Sequence, residues 1–201
     1  MKTLVILSSI LGDHSTSRKL VDHLVNRVAG TDTDLSVQTR DLGAQPLPYF
    51  DGQVLGALST PAEQRSEAQR GIVALADTLV EELFEAERII FAVPIYNFGL
   101  PAQLKSYIDF IARAGVTFQY SSEGVPEGLV KGKKVFVVTS RGGQARGTAI
   151  DTVTPYLQTM LGFVGMTDVA FVGAEGLAMG PDMAAAGVAQ GKAQIDALAF
   201  A

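Results

Sequence analysis

Five short apolar runs, rich in β-branched residues, recur along the 201-residue chain and are separated by stretches with a helical pattern. Continuous apolar runs of this length are typical of strands covered on both faces, as in a parallel sheet. One run, Leu35–Thr39, alternates between apolar and polar residues, so we predict that it is an edge strand. The other runs are Thr3–Leu7, Ile89–Val93, Val135–Thr139 and Val169–Val172.

The intervening stretches contain helix start and stop signals. Ser15 or Ser17 can cap a first helix that ends at Gly30. Thr60, placed before Pro61 at the first helical position, predicts the start of a second helix. That helix runs to about residue 86, further helices cover about residues 101–113, 150–162 and 181–199, and residues 43–56 form one long connection.

Strands that alternate with helices predict right-handed crossovers and a parallel sheet between two helical layers. We therefore expect one α/β domain over residues 1–201, a three-layer α/β/α sandwich with five strands. A flavodoxin-like strand order, 2-1-3-4-5, and half of a Rossmann domain both fit this pattern. In either case a ligand is expected at the carboxyl ends of the strands, beside the first strand.

The composition argues against several classes of function. The net charge is −5 and the pI is about 5.0, and no stretch concentrates Lys and Arg, so neither nucleic acid nor a membrane surface is an expected partner. The chain has no Cys, which excludes disulfides, thiolate catalysis and Cys-based metal sites, and its two His residues do not suggest a metal centre. The apolar stretch near the N-terminus is too short for a signal peptide, so we expect a cytoplasmic protein.

The loop after the first strand is rich in hydroxyl groups, with Ser9, Ser15, Thr16 and Ser17 around the start of a helix. Free N–H groups and the positive end of a helix dipole favour an anion there, such as a phosphate. A capped helix with solvated serines explains the same residues equally well. The loop lacks the G-x-G-x-x-G pattern of dinucleotide-binding domains.

The loop after the third strand, PIYNFGLP, places two aromatic rings where small polar residues are usual. Tyr96 and Phe98 can form a wall for a flat heterocycle, and Asn97 offers a donor and an acceptor to its polar edge. Pro94 restricts the backbone that presents them. The alternative is that both rings pack into the core.

The loop after the fourth strand is TSRGGQARG, in which Gly142 and Gly143 allow a ligand to approach the backbone closely. A flexible surface loop is the alternative. Taken together, however, the three loops offer hydroxyls for a phosphate, rings and an amide for a heterocycle, and N–H groups for its far edge. This combination indicates a mononucleotide with a flat tricyclic head.

The motifs SSILGDHSTS, PIYNFGLPAQLKSYIDFIARAGVTFQY, EGLVKGKKVFVVTSRGG and VTPYLQTMLGFVGMTDVAFVGAEG extend over most of the chain. Through them the chain resembles the bacterial FMN-dependent NADH:quinone oxidoreductase/azoreductase family. The resemblance implies a flavodoxin-like homodimer with one FMN per subunit at the dimer interface. It also implies ping-pong transfer of two electrons from NADH or NADPH to quinones and azo compounds.

The resemblance further implies roles for individual residues. No side chain is expected to act as an acid or base, and Asn97, Gly142 and Gly143 would tune the flavin. Thr16 replaces the Gln expected at its position, and GQARG varies in the family, which leaves the choice between NADH and NADPH open. The implied contacts are Ser9, Ser15, Thr16 and Ser17 to the phosphate, Pro94, Ile95, Tyr96, Asn97 and Phe98 along the ribityl chain and ring system, Ser140, Arg141, Gly142 and Gly143 at the pyrimidine edge, and Tyr120 and Phe163, from the partner subunit, to the substrate.

Two other functions stay open on the same fold. One is a flavodoxin-type electron carrier that binds FMN and partner proteins. The other is a regulatory or scaffold protein that binds no flavin.

Overall fold

The computed structural model describes residues 1–200, which contain the strands β1 (Lys2–Leu7), β2 (Ser36–Asp41), β3 (Arg88–Pro94), β4 (Phe118–Tyr120), β5 (Pro126–Gly128), β6 (Lys134–Ser140) and β7 (Asp168–Ala174). Five of them form the main, parallel sheet in the order β2-β1-β3-β6-β7. The sheet confirms the predicted flavodoxin-like order, 2-1-3-4-5, and the alternating run lies in an edge strand. A separate antiparallel hairpin, β4-β5, was not predicted from the sequence.

Helices cover both faces of the main sheet, which confirms the three-layer sandwich. Successive residues of the buried strands point to opposite faces, so Ile89 packs on one side and Ile90 on the other. No helix within residues 1–200 combines the length and apolar composition needed to cross a bilayer. The helices are α1 (Thr16–Ala29) and α6 (Pro181–Asp196) on one face, and α2 (Gly52–Ser59), α3 (Glu67–Glu85), α4 (Ala102–Ile111) and α5 (Val153–Phe163) on the other.

The predicted start of the second helix at Thr60 is wrong. The Thr60 hydroxyl donates a hydrogen bond back to the Gly56 carbonyl, 2.7 Å away, so it closes α2 and does not cap the next helix. Helix α3 begins after Ser66, which forms a capping box with Gln69. Helix α2 begins after Asp51, in the segment that the sequence left as a connection. Both caps satisfy N–H groups at the start of their helices: Asp51 accepts from the Gln53 and Val54 N–H groups, and Ser66 accepts from the Gln69 N–H.

Helix α6 packs closely on the end of β7 because it presents glycine to the sheet. A Cβ atom placed on Gly187 would lie 2.0 Å from the carbonyl oxygen of Glu175, the residue that follows β7. Real Cβ atoms do not approach a backbone oxygen so closely, so only glycine fits at this position. The helix thereby packs against the end of β7, from which the loop that contacts residues 141–143 continues.

We predict opposite effects for two Gly→Ala substitutions in helices. Gly187→Ala should lower the free energy of unfolding by about 1–3 kcal/mol, because α6 must move away from β7. Gly71→Ala, in α3, should raise it by about 0.5–1 kcal/mol, because nothing lies within 4 Å of the new methyl group and alanine favours the helix. Urea denaturation of both variants tests this, and equal effects would contradict the close packing at Gly187.

Candidate functional site

A cavity of about 350 Å³ lies at the carboxyl ends of β3 and β6. The register of these strands places Pro94 opposite Ser140, and the Ile95 N–H donates to the Ser140 carbonyl at 2.8 Å. The aromatic turn and the glycine pair therefore leave the sheet side by side, as the sequence predicts. The cavity is lined by Ile95, Asn97, Phe98, Arg141, Gly142, Gly143, Gln144, Ala145, Ile150, Asp151, Thr152 and Val153.

The aromatic turn has an unusual backbone. Tyr96 and Gly99 exchange two backbone hydrogen bonds of 3.1 and 2.9 Å around Asn97 and Phe98, which have φ angles of +49° and +65°. Two left-handed residues in a row are characteristic of a type I′ turn. Asn tolerates this conformation, but Phe does so at a cost of about 1–2 kcal/mol. The Thr152 hydroxyl, which donates to the Phe98 carbonyl, helps to hold the turn.

The two rings of the turn have different surroundings. The Phe98 side chain lines the cavity and is 66% exposed, so it does not pack into the core. The Tyr96 hydroxyl lies 3.1 Å from the Ser9 hydroxyl and links the turn to the loop after β1. Of the two rings, only that of Phe98 borders the cavity, whereas Tyr96 contacts the loop after β1 through its hydroxyl.

The hydroxyl-rich loop lies beside the cavity and does not line it. Ser15 caps α1 by accepting a hydrogen bond from the Arg18 N–H at 3.3 Å, and its hydroxyl lies 3.0 Å from that of Ser17. Both serines are buried, which contradicts the alternative that their side chains are solvated. Thr16 occupies the first position of the helix. The hydrogen bond between Ser9 and Tyr96 is the contact that joins this loop to the aromatic turn.

Tyr120 and Phe163 lie together, but not at the cavity. Each contacts the ring of Phe118, with centroid separations of 5.9 Å for Tyr120 and 4.4 Å for Phe163. The three rings form a cluster between the β4-β5 hairpin and the end of α5, and Tyr120 is 61% exposed. Within one chain, therefore, the expected substrate-side residues do not meet the expected flavin-side residues.

A buried ion pair at the cavity was missed by the sequence analysis. Arg141 is 6% exposed, and its guanidinium lies 3.2 Å from a carboxylate oxygen of Asp151, which is also buried. Asp151 precedes α5 and accepts a hydrogen bond from the Thr154 N–H at 3.3 Å. An Asp three residues before an N–H donor at a helix start is a capping signal, and this pattern was readable in the sequence.

The surroundings of Asp151 stabilise its ionised form. Burial opposes ionisation, but hydrogen bonds from Thr154 and from the Gly147 N–H, together with the charge of Arg141, outweigh it. The pKa of Asp151 therefore lies below its ordinary value of 3.8. At neutral pH the cavity is bordered by a buried carboxylate whose charge is offset by Arg141.

Comparison with known proteins shows the family to which the chain belongs. A protein family described as having a flavodoxin-like fold matches residues 1–199. The chain is 62% identical over 198 residues to an FMN-dependent NADH:quinone oxidoreductase of Bordetella petrii, covering 98% of this chain and 95% of the relative. It is 50% identical over 195 residues to a protein of the same description from Burkholderia thailandensis, covering 97% and 98%. The crystal structure of an azoreductase from Bacillus anthracis superimposes with a TM-score of 0.86 at 28% identity, covering 97% and 96%.

Left-handed backbone at Phe98 predicts an unusual order of side-chain preference. Phe98→Val should be less stable than Phe98→Asn by about 1 kcal/mol, although Val is more apolar, because a β-branched residue disfavours positive φ. The same pair of substitutions at Tyr49, which is 76% exposed and has no positive φ, serves as the control and should differ little. Urea denaturation of the flavin-free variants measures this. A Phe98→Val variant as stable as Phe98→Asn would contradict the strain.

The lowered pKa of Asp151 predicts how stability depends on pH. Asp151→Asn should be less stable than wild type at pH 7 by about 1–3 kcal/mol, because an ionised, hydrogen-bonded partner of Arg141 is lost. The contribution is complete above the ordinary pKa and disappears as pH falls through the lowered pKa, so the gap should close below about pH 4. Denaturation from pH 7 to pH 2 measures the gap, and exposed Glu63→Gln is the control. A gap independent of pH would contradict the assignment.

Proposed function

The chain belongs to the flavodoxin-like family of FMN-dependent NADH:quinone oxidoreductases, and on this premise we propose that it is a flavoenzyme that uses NADH to reduce quinones and azo compounds. One observation of the structure supports this most directly. The aromatic turn and the glycine pair line a single cavity at the edge of the sheet where this fold binds ligands. A flavin ring system needs both an apolar wall and polar donors at its edge, and the cavity offers both.

The residues around the cavity fit FMN. A Cβ atom on Gly143 would meet nothing within 4 Å, so its backbone borders open space and is accessible to a ring edge. At the start of α1, Ser15 accepts from the Arg18 N–H through its hydroxyl and from the Lys19 N–H through its carbonyl. The N–H groups of Thr16 and Ser17 take no part in these bonds and are suited to a phosphate.

Residues of the cavity and of the start of α1 would hold FMN, which would supply the hydride acceptor for NADH and the source of two electrons for the quinone or azo compound. The chain's own residues orient and stabilise it. The N–H groups of Gly142 and Gly143 would face the pyrimidine edge, where donors favour the negative charge that develops on reduction. Asn97 would contact a polar edge, and Phe98 would border the ring and limit access of water. We propose a ping-pong order, because one open cavity serves donor and acceptor in turn.

We propose that the functional unit is a homodimer. Within one chain, Tyr120 and Phe163 lie around Phe118 and not at the cavity. They can act on the substrate side only if a second copy contributes them. Phe98 and Ile150 are both exposed and line the same cavity, so they form an exposed apolar patch of the kind that marks interaction sites, which supports such a contact. The absence of Cys from the sequence supports a cytoplasmic location.

The loop after β6 supports a preference for NADH over NADPH. Arg141 is buried against Asp151, and Arg146 donates to the Phe171 carbonyl at 2.6 Å and contacts Gln194 at 3.4 Å. Both arginines of the loop are thus engaged within the chain. The 2′-phosphate of NADPH would have to displace one of these contacts before it could pair with an arginine of the loop.

The proposal predicts that purified protein loaded with FMN oxidises NADH, and that a benzoquinone accelerates this oxidation. Initial rates with NADH and NADPH, over a range of concentrations of each, should give a larger kcat/KM for NADH. Size-exclusion chromatography of the same sample should give a dimer. Protein that retains FMN but shows no quinone-stimulated oxidation would contradict the enzyme and favour an electron carrier.

Replacing the buried hydroxyls of the first loop tests where the phosphate binds. The Ser15→Ala, Ser17→Ala double variant should bind FMN more weakly, by at least about tenfold, because each charge-assisted hydrogen bond that is lost contributes about 1.5–3 kcal/mol. Riboflavin, which lacks the phosphate, should bind the variant and the wild type equally well. Flavin fluorescence quenching measures both affinities. Equal weakening for the two flavins would indicate that the substitutions disturb the loop and not the phosphate contact.

A further inference from the structure

Two loops beside the cavity are joined by backbone hydrogen bonds. The loop after β7 donates three backbone hydrogen bonds to the loop after β6: Leu177 N–H to the Arg141 carbonyl at 3.2 Å, Ala178 N–H to Gly142 at 2.9 Å and Gly176 N–H to Gly143 at 2.9 Å. These bonds use the carbonyl groups of the segment 141–143. They leave the N–H groups of Gly142 and Gly143 available to a ligand in the cavity. Hydrogen bonds from the neighbouring loop therefore help to fix the conformation of the segment 141–143.

Two carboxylates hold the buried side chain at the base of this segment. The Arg141 guanidinium lies 3.2 Å from Asp151, which follows the loop, and its Nε lies 3.4 Å from Glu175, which follows β7. A buried charge is unfavourable unless it is paired, so both carboxylates favour this position of Arg141. Asp151 and Glu175 come from different parts of the chain, and both contact the side chain of Arg141, the residue at which the loop begins.

The same carboxylates also bind the backbone of the loop. One oxygen of Glu175 accepts hydrogen bonds from the Ala145 N–H at 3.0 Å and the Arg146 N–H at 2.9 Å. The second oxygen of Asp151 accepts one from the Gly147 N–H at 3.1 Å. Three successive residues are thereby held by two side chains. Neither carboxylate was assigned a role by the sequence motifs.

A loop with three glycines in seven residues, 141–147, would otherwise lose much conformational freedom when a ligand binds. Ordering the loop in advance removes this cost from binding. We propose that Asp151 and Glu175 are positioning residues that hold the loop 141–147 ready for the flavin ring before FMN binds. This inference rests on the proposed function, since it concerns the same cavity.

The geometry distinguishes the two carboxylates. Glu175 uses one oxygen for both backbone amides, so glutamine can keep those hydrogen bonds. Asp151 uses one oxygen for Arg141 and the other for Gly147, so asparagine, with a single acceptor oxygen, must lose one of them. Asp151→Asn should therefore loosen the loop, whereas Glu175→Gln should loosen it less than Glu175→Ala does.

The test compares these variants with wild type by two measurements. Amide hydrogen exchange of flavin-free protein reports the order of residues 145–147, and fluorescence quenching reports the affinities for FMN and riboflavin. We expect faster exchange in Asp151→Asn and Glu175→Ala, and about tenfold weaker binding of both flavins. Glu175→Gln should fall between Glu175→Ala and wild type. The matched control is Glu82→Gln, which removes a buried carboxylate paired with Arg40 elsewhere in the fold.

Each outcome decides a different question. Folded Asp151→Asn and Glu175→Ala variants with wild-type exchange and wild-type flavin affinity would overturn the positioning role. The same would follow if Glu82→Gln changed both measurements equally, because the effect would then be general destabilisation. If Glu175→Ala does not fold, Asp151→Asn is judged by the same two measurements. Wild-type protein that binds neither flavin would contradict the proposed function instead, while hydrogen exchange would still test the order of the loop.

Discussion

The parallel pairing of β3 with β6 is the contact on which the candidate site depends. Because both strands run in the same direction and Pro94 lies opposite Ser140, the segments that follow them leave the sheet at one edge. The strained aromatic turn and the glycine loop thus line the same cavity, although a helix and a hairpin separate them in sequence. A shift of this register by one residue would turn the side chains of β6 to the opposite face and misplace the loop.

Buried charged side chains contact the loop that lines this cavity and restrict its conformation. Glycine-rich segments usually have high conformational freedom, yet here the segment after β6 pairs with the loop after β7 and is closed by Arg141 and two carboxylates. Helix α6 adds to this, since Gly187 lets it pack directly on the backbone of Glu175. The polar network and the close helix packing therefore act on the same residue. Preorganised donors of this kind suit a site in which the cofactor performs the chemistry and the protein orients it.

The strands were predictable because continuous apolar runs indicate burial on both faces, and only Leu35–Thr39 alternates. The pattern allowed two strand orders, and the family resemblance selected the order 2-1-3-4-5. Helix starts were predicted less well. Thr60 and Ser66 both offer capping signals, and the choice fell to Ser66 because the Thr60 hydroxyl closes the preceding helix. The hairpin 118–128 was missed because strands of three residues are too short to show a period.

The sequence by itself determined the fold class, the family and the chemical groups at the strand ends, since these follow from local pattern and from motifs that extend over the chain. Only the tertiary structure decided which groups meet. It placed Phe98, and not Tyr96, at the cavity, gathered Tyr120 and Phe163 around Phe118, and brought Glu175 to Arg141. Such contacts depend on strand register and on helix packing, which join residues distant in sequence. A local pattern of residues contains no information about them.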